Sequence, residues 1–332
     1  MTRGRVTISI FALLLILTGL AGGLFYHQIS RPGPLSTPQR ILVERGKGLG
    51  AIAHMLEQHG LLRDRLSFRL TARLLKADRD VRAGEFEIKP HASVLEILDE
   101  LRFGDAVLRR VTIPEGLSSA QIVALLSETE GLVGEIDRIP AEGTLLPETY
   151  YFSYGDERQT ILKRMERAQL DLLALLWPDR APDLPFSTEL EAITLASIIE
   201  KETANHAEKP LVASVFVNRL RRNMRLQSDP TVIYGVTGGE PLGRPILRSE
   251  LDRETPFNTY RIKGLPPHPI ANPGAASIAA ALHPADSDYL YFVADGKGGH
   301  AFATRLFEHN ANVARWRRLL KDRTTSSETV SK

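Results

Sequence analysis

Hydrophobic and polar positions divide this chain into stretches of different period. From Val6 to Tyr26 no residue is charged, with Arg3 and Arg5 before the run and Arg31 after it. At about 1.5 Å per residue such a helix reaches roughly 30 Å, the thickness of a bilayer's hydrocarbon core. The run therefore predicts an uncleaved single-pass transmembrane helix over 6–26, with 1–5 as a short cytoplasmic tail. The competing reading is a cleaved signal peptide, for which Gly19, Ala21, Gly22 and Gly23 would supply small residues near the cut. The apolar stretch is longer than the core of about 7 to 15 residues such peptides carry. Three prolines in SRPGPLSTPQ predict an extended linker over 27–40.

Three following segments share a strand-then-helix pattern when aligned on Val43, Ile88 and Ile113. Ile stands nine positions later in each (Ile52, Ile97, Ile122) and Leu thirteen later (Leu56, Leu101, Leu126). These i, i+4 pairs line one helix face. Gly46 and Gly116 sit where strand must turn into helix and positive φ is wanted. The pattern predicts small βα units over 41–135, and ILVERGKGLGAIAHMLEQHGLL resembles LysM-type glycan-binding modules. EGTLLPETYYF then predicts a loop entering an aromatic, extended segment.

Ser187 to Ala204 reads as a helix with Thr188 as N-cap and Glu191 completing a capping box. From Ala192 to Ile199 only Thr194 and Ser197 are not aliphatic, so the helix is expected to be buried nearly all round. Glu200 falls on the line of Ile193, between Ala196 and Ser197, a face of small side chains that leaves space above a carboxylate. Glu202 points about 200° away from it. A carboxyl group at the mouth of an apolar helix is desolvated and keeps a proton near neutral pH, as a general acid must. The alternative is that Glu200 opens a solvated helix end and pairs with Lys201 or Lys209. Downstream, Pro210 opens an amphipathic helix carrying Asn218, Arg219 and Arg222 on its polar side, and Asp229 before Pro230 is a natural cap. FNTYRIKGLPPHPIANPG reads as an ordered loop wall studded with Asn258, Thr259, Tyr260 and Asn272, groups suited to a polyhydroxylated ligand. ADGKGGH predicts a hairpin turn after the strand YLYFVA.

Composition narrows the function. The chain has 332 residues, 43% hydrophobic and 25% charged, which predicts a folded protein with room for two or three domains. A net charge of +2 gives no strong field to recruit nucleic acid. With no cysteine, a disulfide framework, a thiolate metal site and a cysteine nucleophile are all excluded. His300 and His309 do not have the spacing that places two imidazoles on one helix face around a metal. No cofactor or metal is called for. TTSSETVSK at the end reads as a disordered tail over 321–332.

The motifs LASIIEKET, RLQSDPTVIYG, NTY with GLPPHPIANPG, and YFVADGKGGHAFATRLFEHN, taken in this order, resemble the endolytic murein transglycosylase (YceG-like) family. The resemblance covers about 142–320 and implies an α+β protein: membrane anchor, LysM-like subdomain, then a mixed α+β catalytic domain over 136–320. It implies a lyase that cuts MurNAc–GlcNAc bonds inside peptidoglycan strands and leaves 1,6-anhydro ends. The expected setting is the periplasmic face of the inner membrane, with the penicillin-binding protein synthases as partners and termination of nascent strands as the role. Glu200 is implied as the general acid/base. Ser197, Asn218, Gln227, Asp229, Tyr234, Asn258, Tyr260, Asn272 and His300 are implied as substrate-binding residues. Departures from the family pattern fall at Phe257 and His268. Two alternatives stay open, a silent murein-binding scaffold and a hydrolytic muramidase.

Overall fold

The computed structural model describes residues 2–77 and 80–330, with side chains from 10 to 321. The side chains of the expected leading tail and of nearly all the expected terminal tail lie outside the described residues. Two compact units are present, one made of residues 1–110, 131–133 and 151–156, the other of 111–130, 134–150 and 157–332.

In the first unit, α1 (Thr2–Ser30) precedes β1 (Gln39–Val43), α2 (Leu49–Gln58), α3 (Arg65–Leu74), β2 (Gly84–Ile88) and α4 (Val94–Phe103). β1 and β2 pair antiparallel with Ile41 opposite Phe86. The resulting βααβ unit closes over a core that includes Val43, Ile52, Leu56, Phe68, Phe86, Ile97 and Leu101. Its β1–α2 and β2–α4 segments are the first two copies of the sequence pattern. In all three copies the aligned residues are buried, Ile122 and Leu126 lying in the second unit on α5 (Ser119–Glu128). Gly46 and Gly116 both have positive φ, 79° and 77°.

α1 is long and apolar enough to cross a membrane. Its side chains from Ile10 to Leu24 are exposed, an arrangement water penalises and lipid favours. The proline-rich stretch after it is extended and fastened to the unit: Gly33 N–H donates to the His91 carbonyl at 3.0 Å and His91 N–H to the Leu35 carbonyl at 2.7 Å.

Short strands β3 (Leu108–Thr112), β4 (Leu132–Val133), β5 (Thr149–Ser153) and β6 (Asp156–Glu157) follow along the chain. On β5, Tyr150 and Phe152 are buried and Tyr151 is exposed, as strand alternation requires.

The second unit is mostly helical. After α5 come α6 (Arg158–Leu176), α7 (Glu189–Glu202), α8 (Lys209–Arg221), α9 (Asp229–Thr237), α10 (Arg248–Asp252) and α11 (Ala275–Leu282). The antiparallel hairpin β7 (Tyr291–Ala294) and β8 (His300–Ala303) follows, then α12 (Leu306–Val330). α7 packs against α8, α9 and α11. Every residue from Ala192 to Ile199 is buried, so α7 is the unit's central helix, as its all-round apolar sequence predicts. Its start is the expected capping box, with Glu191 N–H donating to Thr188 Oγ1 at 3.2 Å and Thr188 N–H returning a bond to the Glu191 carboxylate at 3.0 Å.

Candidate active site

A helix buried all round can expose chemistry only at its ends. The last turn of α7 carries Glu200 and Glu202, and the structure gives them opposite surroundings.

Glu200 is enclosed, its side chain 6% exposed. Lys209 Nζ, 1% exposed, donates to both Glu200 oxygens at 3.0 and 3.1 Å and to Glu115 at 3.2 Å. Gly274 N–H donates to Glu200 Oε2 at 3.0 Å and Ser277 Oγ to the same oxygen at 2.7 Å. Gly116 lies against Glu200, where a Cβ would be in ordinary contact with Glu200 Cγ at 3.4 Å; its positive φ of 77° is what favours glycine. Glu200 and Lys209 together thus tie four pieces of the chain, the turn at 115–116, α7, α8 and the start of α11. The Lys209 pairing that the sequence offered is present, in a buried rather than a solvated setting.

Glu202, the last residue of α7, faces the other way, into a groove of about 360 Å³ whose walls also include Arg219, Gln227, Asp229, Tyr260, Tyr291 and His309. The groove leaves the residue partly accessible, yet its carboxyl sits deep among protein atoms. Ser228 Oγ donates to Glu202 Oε1 at 2.6 Å. Burial raises the Glu202 pKa to about 7; the charge of Asp229 adds to the rise, and the Ser228 bond, His300 and Arg219 oppose it. A carboxylic acid with that pKa holds a proton near neutral pH and can both give it up and take it back.

The groove's other polar groups form a second layer. Tyr260 Oη donates to Asp229 Oδ1 at 2.6 Å; burial and this bond raise the phenol's pKa above its ordinary value. Gln227 holds a left-handed backbone, φ 52°, which a residue with a side chain rarely adopts. Its N–H donates to the Thr259 carbonyl at 3.1 Å, fastening the groove rim to the NTY loop. Arg219, expected on the polar side of α8, is buried instead: Nε donates to the Leu290 carbonyl at 2.7 Å and Nη1 to the Leu226 carbonyl at 2.6 Å. Its guanidinium lies 5.4 Å from the centroid of Tyr291. His309 stacks on the same ring at 5.2 Å, and burial, followed by Arg219's charge, lowers its pKa.

Of the residues implied as substrate-binding, Gln227, Asp229 and Tyr260 line the groove. His300 stands at its back, close enough to act electrostatically on Glu202, with its Nδ1 2.8 Å from Glu208. Ser197, Asn258 and Asn272 are buried, and Asn218 and Tyr234 are half-buried. Ser197 Oγ receives the Ile270 N–H at 3.0 Å. Asn218 Nδ2 donates to the carbonyls of Ser287 and Tyr289 at 2.7 and 3.1 Å. Asn258 Nδ2 donates to three carbonyls, of Glu250, Leu251 and Arg253, and caps α10. Asn272 accepts from Gly143 and Leu145 N–H at 3.0 and 3.1 Å and donates to Leu117, Ser119 and Glu142. Tyr234 packs against Phe257 and His268, whose rings are also 4.7 Å from each other. The two departures from the family pattern, Phe257 and His268, are therefore in direct contact.

Comparison with known proteins places the chain in a family. The YceG-like family model matches residues 41–315. Over 327 residues the chain is 29% identical to the endolytic murein transglycosylase of Bacillus subtilis (strain 168), spanning 88% of this chain and 89% of that protein. It is 28% identical over 321 residues to the endolytic murein transglycosylase of Streptococcus pneumoniae R6, spanning 82% of this chain but 57% of that longer protein. A 2.6 Å crystal structure of a YceG-like protein from Listeria monocytogenes matches with a TM-score of 0.53 and 29% identity, over 82% of this chain and 98% of that one. With the motifs in order and the family model running from β1 into α12, this chain belongs to the YceG-like family.

Proposed function

We propose that this protein is a lytic transglycosylase that cleaves the β-1,4 bond between MurNAc and GlcNAc inside peptidoglycan strands, with Glu202 as its general acid and base. The observation that carries this is the Glu202 carboxyl, buried at the base of an open groove with its pKa at about 7. Glu200, the acid the motif first suggests, is held by Lys209, Gly274 and Ser277. Those four hydrogen bonds leave it little freedom to deliver a proton.

In the proposed step Glu202 protonates the glycosidic oxygen as the C1–O bond of MurNAc breaks. The C6 hydroxyl of the same sugar attacks C1, and the Glu202 carboxylate takes the proton that this hydroxyl releases. One bond breaks, one forms, and no water enters. The nucleophile belongs to the substrate, so its effective concentration is high and a second carboxylate is not needed. Positive charge developing at C1 is met by the Asp229 carboxylate, held at the groove by Tyr260. Tyr291, which carries Arg219 and His309 against its ring, is part of the same groove wall.

Asp229 also supports a second reading. A hydrolytic muramidase uses two carboxylates, and Asp229 is in the same groove as Glu202. Mass analysis of muropeptides separates the two: the expected product ends are anhydro, one water lighter than hydrolytic ends. A murein-binding scaffold yields neither. Because the acid must be protonated in the free enzyme, kcat/KM is expected to fall as pH rises through about 7, approaching tenfold per unit. A profile flat from pH 6 to pH 9, measured at ~100 mM ionic strength, would remove Glu202 from this role.

The wider setting belongs to the same proposal. α1 anchors the protein in the inner membrane with its body in the periplasm, the βααβ unit serves as a LysM-like glycan-binding module, and strand cutting near penicillin-binding protein synthases ends nascent strands.

A further inference from the structure

One face of α3 is unexplained by the fold. In RLSFRLTARL, Ser67, Phe68, Thr71 and Ala72 are buried, while Leu66, Leu70 and Leu74 are 60%, 49% and 70% exposed. Leucines four residues apart form one row along a helix. Arg65, Arg69 and Arg73 form the neighbouring row. Arg65 approaches Glu57 at 4.0 Å; among the described residues no carboxylate pairs with Arg69 or Arg73. An apolar row flanked by cations is the pattern of a helix lying in a membrane interface, with arginine stems over acyl chains and guanidiniums on phosphates.

The fold supplies the membrane. α1 packs against α3 and α4. Gln28 Nε2 donates at 3.5 Å to Asp64 Oδ2, whose other oxygen caps α3 by accepting from Ser67 N–H at 2.8 Å. Ile29 is buried. The uncharged run of α1 ends at Tyr26, so the first turn of α3 meets α1 within a turn of the point where a bilayer spanned by that run would give way to headgroups. We infer that α3 lies in the headgroup layer of the bilayer that α1 crosses, with Leu66, Leu70 and Leu74 among the upper acyl carbons and Arg65, Arg69 and Arg73 on anionic lipid phosphates. This rests on α1 spanning the membrane. A second attachment beside the first restrains the tilt of the βααβ unit on the membrane surface.

The chain has no cysteine, so single-cysteine variants of the full chain report cleanly. Leu17→Cys, Leu70→Cys and Glu87→Cys, each carrying an environment-sensitive fluorophore, are placed in nanodiscs containing phosphatidylglycerol. The Leu17 label is expected to be quenched by nitroxides on lipid chains. The Leu70 label should be quenched by headgroup nitroxides about threefold more than the Glu87 label, and this excess should fall in phosphatidylcholine alone and in Arg65→Gln/Arg69→Gln/Arg73→Gln. A water-exposed Leu17 label overturns the anchoring that the inference rests on. A quenched Leu17 label with a Leu70 label no more quenched than Glu87 overturns the inference itself. A Leu70 label shielded from water but untouched by nitroxide lipid overturns it too, pointing to a protein partner or a second copy. Equal quenching in phosphatidylcholine overturns the role of the arginines.

Discussion

Glu202→Gln is expected to lower kcat/KM by roughly 10² to 10⁴-fold, the range a general acid supplies, and to leave the protein more stable than wild type in mildly alkaline buffer. The second half follows from linkage. Folding raises the Glu202 pKa from 4.5 to about 7, so the native state holds this proton more tightly than the unfolded chain does. The stability this proton contributes is complete below about pH 4.5 and is lost as pH rises through about 7. A glutamine at this position keeps an acceptor for the Ser228 hydroxyl and never ionises, so it escapes the loss. Thermal melts of the two proteins should separate as pH rises from 5 to 8, in favour of the variant. Muropeptide release read beside the melts makes the test two-sided. An active Glu202→Gln protein would end the assignment, and an inactive one that also melts early would show misfolding instead of lost chemistry.

Local signals in the sequence translated well into structure, because their causes are local. The Thr188–Glu191 box, the proline at the start of α8, the ADGKGGH turn and the strand-to-helix glycines each act within a few residues. The Ile and Leu positions of the repeated pattern are buried in all three copies for the same reason: one helix face has to be apolar wherever a helix packs.

The site was harder to read, for two physical reasons. A helical wheel separates faces only when one of them is polar. On a helix buried all round, Glu200 and Glu202 differ only in which distant segments cover them: the turn at 115–116, Lys209 and Gly274 for one, the SDP and NTY segments for the other. Nothing within α7 encodes that choice. The second reason concerns the asparagines. Asn258 and Asn272 look like sugar-binding groups because they are polar and stand in loops. Irregular backbone has no ladder to satisfy its N–H and C=O groups, however, and buried loops must borrow side chains. Asn272 bonds to Leu117 and Ser119, 155 and 153 positions away, and is fully buried. A polar residue in a long ordered loop is therefore as apt to be spent on the loop itself as on a ligand. Gln227 escapes this fate, since its backbone makes the structural bond and leaves the side chain to the groove.

Glu200→Gln is expected to fail differently from Glu202→Gln, through stability. The substitution removes the charge that faces Lys209, whose ammonium is 1% exposed and then depends on Glu115 alone, a residue 34% exposed. Leaving half of a buried ion pair costs about 3 to 5 kcal/mol, which for a unit of this size lowers Tm by roughly 10 °C. Lys209→Met strands the carboxylate of Glu200 against Gly274 and Ser277 and should cost a similar amount. The double variant Glu200→Gln/Lys209→Met should be less destabilised than the sum of the singles, since each single change already breaks the same pair. Activity measured well below the melt, per folded molecule, should survive in all three within about tenfold, because the groove around Glu202 keeps its polar wall. Glu200→Gln melting at the wild-type temperature yet releasing no anhydro product would return the acid to Glu200 and leave Glu202 the residue in need of another explanation.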